Sequence, residues 1–165
     1  MKAIEARIIK SASLYFMMKR IVDEETALVP YYPDYETALK WYQDKELCKQ
    51  VDNIDDVYSL DRLKRMYDYL SRNGDCFYIE FQNRLVGDIT LKYDGEISIV
   101  ICREYQNRHI GRACLKNIIE LAQEKGLNTV KAQIYPFNER SKRLFKSVGF
   151  APHEDDWYVL DLKNR

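Results

Sequence analysis

The sequence lacks a net charge of either sign, since 26 basic side chains balance 26 acidic ones. No global positive field marks it for nucleic acid. It also lacks a long apolar run, and none approaches the roughly 20 residues needed to span a bilayer. Its opening, MKAIEARIIKSASLYFMM, has neither the apolar core nor the small-residue cleavage site of a secretion signal. Metal-type cysteine spacing is missing too: Cys48, Cys76, Cys102 and Cys114 are scattered, and three of them sit in apolar contexts as small core residues. Reduced thiols and the lack of an export signal lead us to expect a cytoplasmic protein with no metal. There is no internal repeat and no low-complexity segment. A chain of 165 residues is long enough for one domain with a real core and too short for two. What it has in quantity is tyrosine, thirteen in all, many of them before Gly95.

The most organised stretch is residues 95–125. GEISIVI is apolar and rich in β-branched residues, as a buried strand should be. From Ile110 the apolar residues Ala113, Cys114, Leu115, Ile118, Ile119, Leu121 and Ala122 fall at helical spacing, with Gly126 as the residue after the cap. Between them, Gln106-Asn107-Arg108-His109-Ile110-Gly111 enters the helix where backbone N–H groups lack partners and the dipole is positive. Gly111 permits close approach, and Arg108 and Arg112 add charge. The loop reads either as a diphosphate cradle or as an ordinary strand–loop–helix with exposed arginines.

Taken in order, residues 1–17 form a possible extension. Residues 26–32 (TALVPYY) read as a strand, and Asp34 caps a helix running to about residue 44. Residues 45–58 are mixed, a short helix and then an acidic loop. Ser59 caps a helix over 60–72, stopped by Asn73-Gly74. Strands follow at 76–81 and 84–93, the second long enough for a bulge near Gly87. Asp94-Gly95 signals a hairpin into the strand at 96–101. Residues 129–135 alternate as a strand, which makes a βαβ crossover and predicts that 96–101 and 129–135 run parallel. A short helix over 138–147 and a strand over 157–162 complete an α+β domain spanning 1–165. Its sheet is mixed and mainly antiparallel, with helices on both faces and one parallel crossover.

These residues resemble the GNAT superfamily of acyl-CoA-dependent N-acetyltransferases. The family loop, Gln/Arg-x-x-Gly-x-Gly/Ala, reads here Gln106 to Gly111. The family block Asn-x-x-Ser/Ala-x-x-Leu-Tyr-x-x-x-Gly-Phe is matched at Asn138, Ser141, Leu144, Phe145, Gly149 and Phe150. The resemblance covers roughly residues 26–162. It implies acetyl-CoA as acyl donor, with the N–H groups of Gln106, Asn107, Arg108, His109, Ile110 and Gly111 on the pyrophosphate, helped by Arg108 and Arg112. It further implies that Ile99 and Ile101 pair with the pantetheine amides and that Asn138 and Ser141 touch that arm. Two positions depart from the pattern. His109 replaces the first loop glycine, which is tolerable at negative φ; its imidazole either faces solvent or reaches a phosphate. Phe145 replaces the tyrosine that often protonates the leaving thiolate. A thiol with pKa about 8.5 still leaves acceptably, and Tyr135 or water is the substitute.

Acetyl transfer to an amine needs a proton acceptor, since an ammonium has no lone pair. Glu96, opening the central strand, is the candidate, against the alternative of a solvated hairpin carboxylate. The oxyanion needs backbone N–H groups, expected around residues 98–101 where the strand splays from its neighbour. Asp52, Asp55 and Asp56, and the run His153-Glu154-Asp155-Asp156, suit a cationic acceptor near the cleft mouth or are plain solvated loops. Tyr31, Tyr32, Tyr35, Trp41 and Tyr42 are candidates for lining a pocket, with Trp41 better suited to the core. Cys102 shows nothing of a nucleophile. The expectation is an acetyl-CoA-dependent N-acetyltransferase working by direct transfer to an unidentified amine, either a small molecule or a peptide amino terminus. No nucleic acid or membrane partner is expected, and a homodimer is plausible from the aromatic content. The alternatives are a CoA-binding regulatory module without turnover and an interaction module with an empty cleft.

Overall fold

A computed structural model describes residues 18–165. The expected extension at residues 1–17 therefore lies outside the described residues. Turn chemistry sets the register of the larger sheet. Strands β1 (Arg20–Ile21), β2 (Thr26–Pro30), β3 (Gly74–Phe81), β4 (Arg84–Lys92) and β5 (Ile97–Ile101) lie side by side in that order, each pair antiparallel. Gln82 and Asn83 both take left-handed φ, 48° and 63°, as the tightest hairpins require. The expected bulge is present: Ile79 pairs with Gly87 and Glu80 with Leu85, leaving Val86 as the extra residue. At the second hairpin Gly95 has φ +89°, and the Asp94 carboxylate accepts the Glu96 N–H at 3.0 Å.

Five helices are placed among the described residues: α1 (Tyr35–Trp41), α2 (Lys45–Asp52), α3 (Leu60–Asn73), α4 (Ile110–Glu124) and α5 (Glu139–Ser147). The helix expected up to about residue 44 ends at Trp41, and the short helix expected within residues 45–58 is α2. Asp44 caps α2 by accepting the N–H groups of Glu46 and Leu47, so the chain turns before it. Asp34, Ser59 and Asn138 cap α1, α3 and α5 in the same way. At the end of α4, Gly126 (φ +75°) donates to Gln123 O and Leu127 to Ala122 O, which is the double bond of a Schellman stop. Helices α1 and α3 cover one face of the sheet and α4 the other. No helix among the described residues is long and apolar enough to cross a membrane.

The smaller sheet, β6 (Thr129–Gln133), β8 (Trp157–Asp161) and β7 (Ala151–Pro152), is also antiparallel. Its relation to β5 refines the expected crossover. β5 and β6 do run parallel, but they meet at one bridge, Glu96 with Lys131, where Lys131 N–H donates to Gly95 O at 3.0 Å. Beyond that bridge they are unpaired and the two sheets part. The parting leaves an unpaired strand edge inside the molecule, and the cleft is built on it.

Candidate active site

Which backbone groups of β5 face the gap follows from its register with β4. Lys92 N–H donates to Glu96 O and Cys102 N–H to Val86 O, so the even-numbered residues bond to β4. Ile97, Ile99 and Ile101 therefore direct their N–H and C=O groups toward the open side. Ile99 and Ile101 are the residues expected to pair with a pantetheine arm, and Ile101 O already accepts from Gln106 Nε2. Of residues 98–101 only these two turn their N–H groups to the gap, because Ser98 and Val100 are turned to β4. An extended amide chain laid in the gap would add as a strand.

The gap opens into two lobes that share Gln50, Val51, Ile99, Val100, Asn138 and Ser141. The first has a volume of about 470 Å³ and is bounded by Ile101, by residues 105–112 and by α5. Asn107 (φ 60°) and His109 (φ 62°) are both left-handed, which turns successive N–H groups inward. His109 is the N-cap of α4 but makes no side-chain capping bond, and the first turn contains no acidic residue. Every other α-helix among the described residues has a side-chain cap. The first turn of α4 thus keeps its donors free for an anion. Arg108, Arg112, Arg140 and Arg143 line this lobe, and no carboxylate among the described residues does.

The second lobe, about 570 Å³, lies on the α1/α3 side of the sheet. Three carboxylates reach its lining: Asp52, Asp88 and Glu96. Asp52 at the mouth accepts from Tyr58 OH (2.5 Å) and Arg62 Nη2 (2.8 Å). Glu96 is held by Lys92 Nζ at 2.7 Å. Asp88, only 2% exposed, accepts at Oδ2 from Tyr42 OH (2.7 Å) and Tyr67 OH (2.8 Å). Burial pushes the Asp88 carboxyl up to about 6, against the two phenol hydrogen bonds, which lower it. Burial and the nearby carboxylate together raise both phenols well above their ordinary range, so they remain donors.

A family model described as the Acetyltransferase (GNAT) family matches residues 31–150. The chain belongs to the GNAT acetyltransferase family. Solved structures share its fold. An acetyltransferase of the GNAT family from Bacillus anthracis is 19% identical, with TM-score 0.72 over 87% of this chain and 98% of that one. Spermidine N-acetyltransferase from Vibrio cholerae, in complex with CoA and spermine, is 14% identical, with TM-score 0.67 over 83% and 93%. An acetyl transferase from Salmonella typhimurium that modifies the N-terminal serine of ribosomal protein L7/L12 is 12% identical, with TM-score 0.69 over 88% and 99%.

Against the GNAT motifs, several expected residues hold unexpected positions. His109 does not take the negative φ that a side chain prefers; it adopts the left-handed pose of the glycine it replaces. Gly111 is an ordinary helical residue, and its missing Cβ makes room for Ile101 Cδ1 (3.2 Å) and Leu144 Cδ2 (3.4 Å). The Gln106 side chain donates to Ile101 O at 2.8 Å and accepts from Arg140, tying the end of β5 to α5. Asn138 spends its carbonyl oxygen on the Ser141 N–H and its amide on Gln50 O, so it fastens α2 to α5. Ser141 lines both lobes. Tyr135 lines the second, stacked on Phe137 at 5.7 Å. Phe145 is buried in the same wall, edge-on to Phe150.

The acidic clusters separate. Asp55 pairs with Lys49, and Asp55 and Asp56 line a different, shallow depression. Residues 153–156 line neither lobe. Of the five early aromatics, Tyr42 alone lines a lobe; Trp41 is buried against Tyr78, as its spacing predicts, and Tyr31 stacks on Tyr67. Cys102 is buried, and its thiol is pushed up to about 11 by desolvation, which leaves it unreactive. Among the described residues no group of three or more His, Cys, Asp or Glu could hold a metal ion. Sequence reasoning missed Asp88, Arg140 and Arg143. The signal for Asp88 was present, as the lone acid inside the apolar strand RLVGDITL.

Proposed function

We propose that the protein is an N-acetyltransferase moving the acetyl group of acetyl-CoA to a primary amine by direct transfer in a ternary complex. The observation that carries this reading is the unpaired β5 edge joining an arginine-lined, uncapped helix start to a second lobe containing carboxylates. Solved relatives of the same fold are complexes with CoA, which supports the same use of the cleft.

In this reading the first lobe holds the diphosphate on the N–H groups of residues 106–111, with Arg108 and Arg112 beside them and Arg140 and Arg143 facing across. The pantetheine amides pair with Ile99 and Ile101, and Ser141 borders the arm. The acceptor enters the second lobe as an ammonium and gives a proton to a lining carboxylate, Glu96 or Asp88. Its nitrogen attacks the thioester carbon, and the free N–H groups of Ile99 and Ile101 stabilise the oxyanion. The C–S bond breaks and the thiolate takes the remaining amine proton, through water or Tyr135.

Phe145 favours a second reading, a CoA-binding module without turnover, since no hydroxyl stands at that point of the wall. Titration calorimetry with acetyl-CoA, followed by an assay of CoA release with a panel of amines, tests both. Micromolar binding that weakens at least tenfold in the Arg108→Glu/Arg143→Glu variant, with amine-dependent release, supports the enzyme. Binding without release from any amine supports the module. No binding overturns both.

A further inference from the structure

Three carboxylates line the acceptor lobe, and two are already committed to cations: Asp52 to Arg62 and Glu96 to Lys92. Asp88 has no cationic partner among the described residues. Both of its hydrogen bonds, from Tyr42 and Tyr67, fall on Oδ2, and among the described residues nothing donates to Oδ1. A buried carboxylate with one oxygen unserved is costly to keep, and a bound cation offsets that cost. The backbone around Asp88 is fixed as well. It pairs with Val100, between the two residues whose free N–H groups face the gap, and strands lie about 4.8 Å apart. Glu96 lies three residues from Ile99 along β5, about 10 Å away.

We propose that Asp88, held by Tyr42 and Tyr67 at the back of the acceptor lobe, receives the ammonium of the acceptor and takes its proton. The inference rests on the transferase reading and deepens it by naming a cationic primary amine as the substrate class. The N–H bond breaks toward Asp88 Oδ1, directly or through one water. The freed amine forms the C–N bond as the C–S bond breaks. The second amine proton leaves with the thiolate, and Asp88 returns its proton to solvent. The titratable groups facing Asp88 are Tyr42, the residue that ends α1, Tyr67 on α3, and Cys76 and Tyr78 on β3. Burial raises all four, so Asp88 alone changes charge near neutral pH. From β5 it meets Val100, which does not titrate.

The test uses the full chain with acetyl-CoA and three probe amines: spermidine, benzylamine and the dipeptide serylalanine. CoA release is followed from about pH 5 to about pH 9 for wild type, Asp88→Asn, Tyr67→Phe and Glu96→Gln. Asp88→Asn is expected to lower kcat/KM for the amine about 100-fold or more and to abolish the acid limb of the profile. Its acetyl-CoA affinity stays within about twofold of wild type, since Asp88 lies outside the first lobe. Tyr67→Phe removes one donor from the carboxylate and moves the acid limb upward by roughly half to one pH unit, which loss of packing alone would not do. If Asp88→Asn fails to bind acetyl-CoA, the shift in Tyr67→Phe decides the matter. A full rate and unchanged limb in Asp88→Asn, or a limb in Tyr67→Phe that stays put, overturns the inference and leaves the transferase intact. Wild type that binds acetyl-CoA but acetylates none of the three amines overturns the transferase reading and the inference with it.

Discussion

Gly87 lies so close beneath Val100 that a Cβ on it would stand 2.0 Å from the Val100 carbonyl oxygen. That contact joins the bulge of β4 to the β5 strand whose other edge forms the cleft. Gly87→Ala must push the two strands apart, since the obstacle is backbone and cannot rotate away. The expected loss of stability is about 1–3 kcal/mol, as for other overpacked sites. Acetyl-CoA affinity falls with it, because Ile99 and Ile101 shift relative to the loop at residues 106–111. Thermal unfolding and calorimetry on the variant check both. An unchanged melting temperature would refute the steric argument.

His109 gives an effect of opposite sign. A side chain at φ +62° costs about 1 kcal/mol that glycine avoids. His109→Gly is therefore expected to raise or at least hold stability, less a few tenths of a kcal/mol for the freer unfolded chain. The imidazole is exposed and makes no capping bond. Acetyl-CoA affinity should stay within about threefold of wild type if the loop binds through its N–H groups. A tenfold loss on calorimetry would show that the imidazole itself reaches a phosphate.

Asp88 makes stability depend on pH. Its folded pKa of about 6 lies above the ordinary 3.8, so between those values the folded state holds more protons than the unfolded one. The Asp88 contribution to stability then falls as pH rises through that window, by on the order of 3 kcal/mol, while Asp44, Asp94, Glu124 and Glu139, all held low, contribute the opposite trend. Asp88→Asn removes the titration. Relative to wild type, its melting temperature is expected to rise steadily between about pH 4 and about pH 6. Paired melts at several pH values across the window measure this, and equal slopes in the two proteins would refute it.

Local chemistry was legible where one residue suffices to carry it. Asp34 and Ser59 announced their helices by capping geometry, Gly126 its stop and Asp94-Gly95 its hairpin, and all four do so in the structure. The end of the first helix was placed about three residues late because Asp44 reads equally well as a residue of its last turn and as the cap of the short helix that follows, which is what it is. The loop at residues 106–111 was found from its motif, but the side-chain roles of Gln106 and Asn138 were not. Their partners, Ile101, Arg140 and Gln50, come together only through tertiary packing. Asp88 showed only as a lone acid in an apolar strand; its partners Tyr42, at the end of α1, and Tyr67, on α3, are remote in sequence. The acidic run at residues 153–156 left two readings open because charge in a sequence does not say which way a turn faces, and the solvated loop is the one found.

Phe145 offers the last prediction. It is 3% exposed and lines the second lobe with Ser141 and Tyr135 in the same wall. Phe145→Tyr adds one hydroxyl at the ring edge, in a lobe where water or a thiolate can accept from it. The thiolate leaves tolerably without help, as its conjugate acid has a pKa of about 8.5. The gain in kcat is therefore expected to be roughly three- to tenfold, well short of a full general-acid effect. KM for acetyl-CoA should not move, because the residue lines the second lobe and not the diphosphate site. The rate should also fall less steeply on the alkaline side, where an unassisted thiolate has no proton to collect. Steady-state kinetics of the variant across pH decides the point. A raised kcat identifies thiolate protonation as the step this chain performs without a dedicated acid. An unchanged kcat places the slow step elsewhere and makes the phenylalanine a packing choice against Phe150.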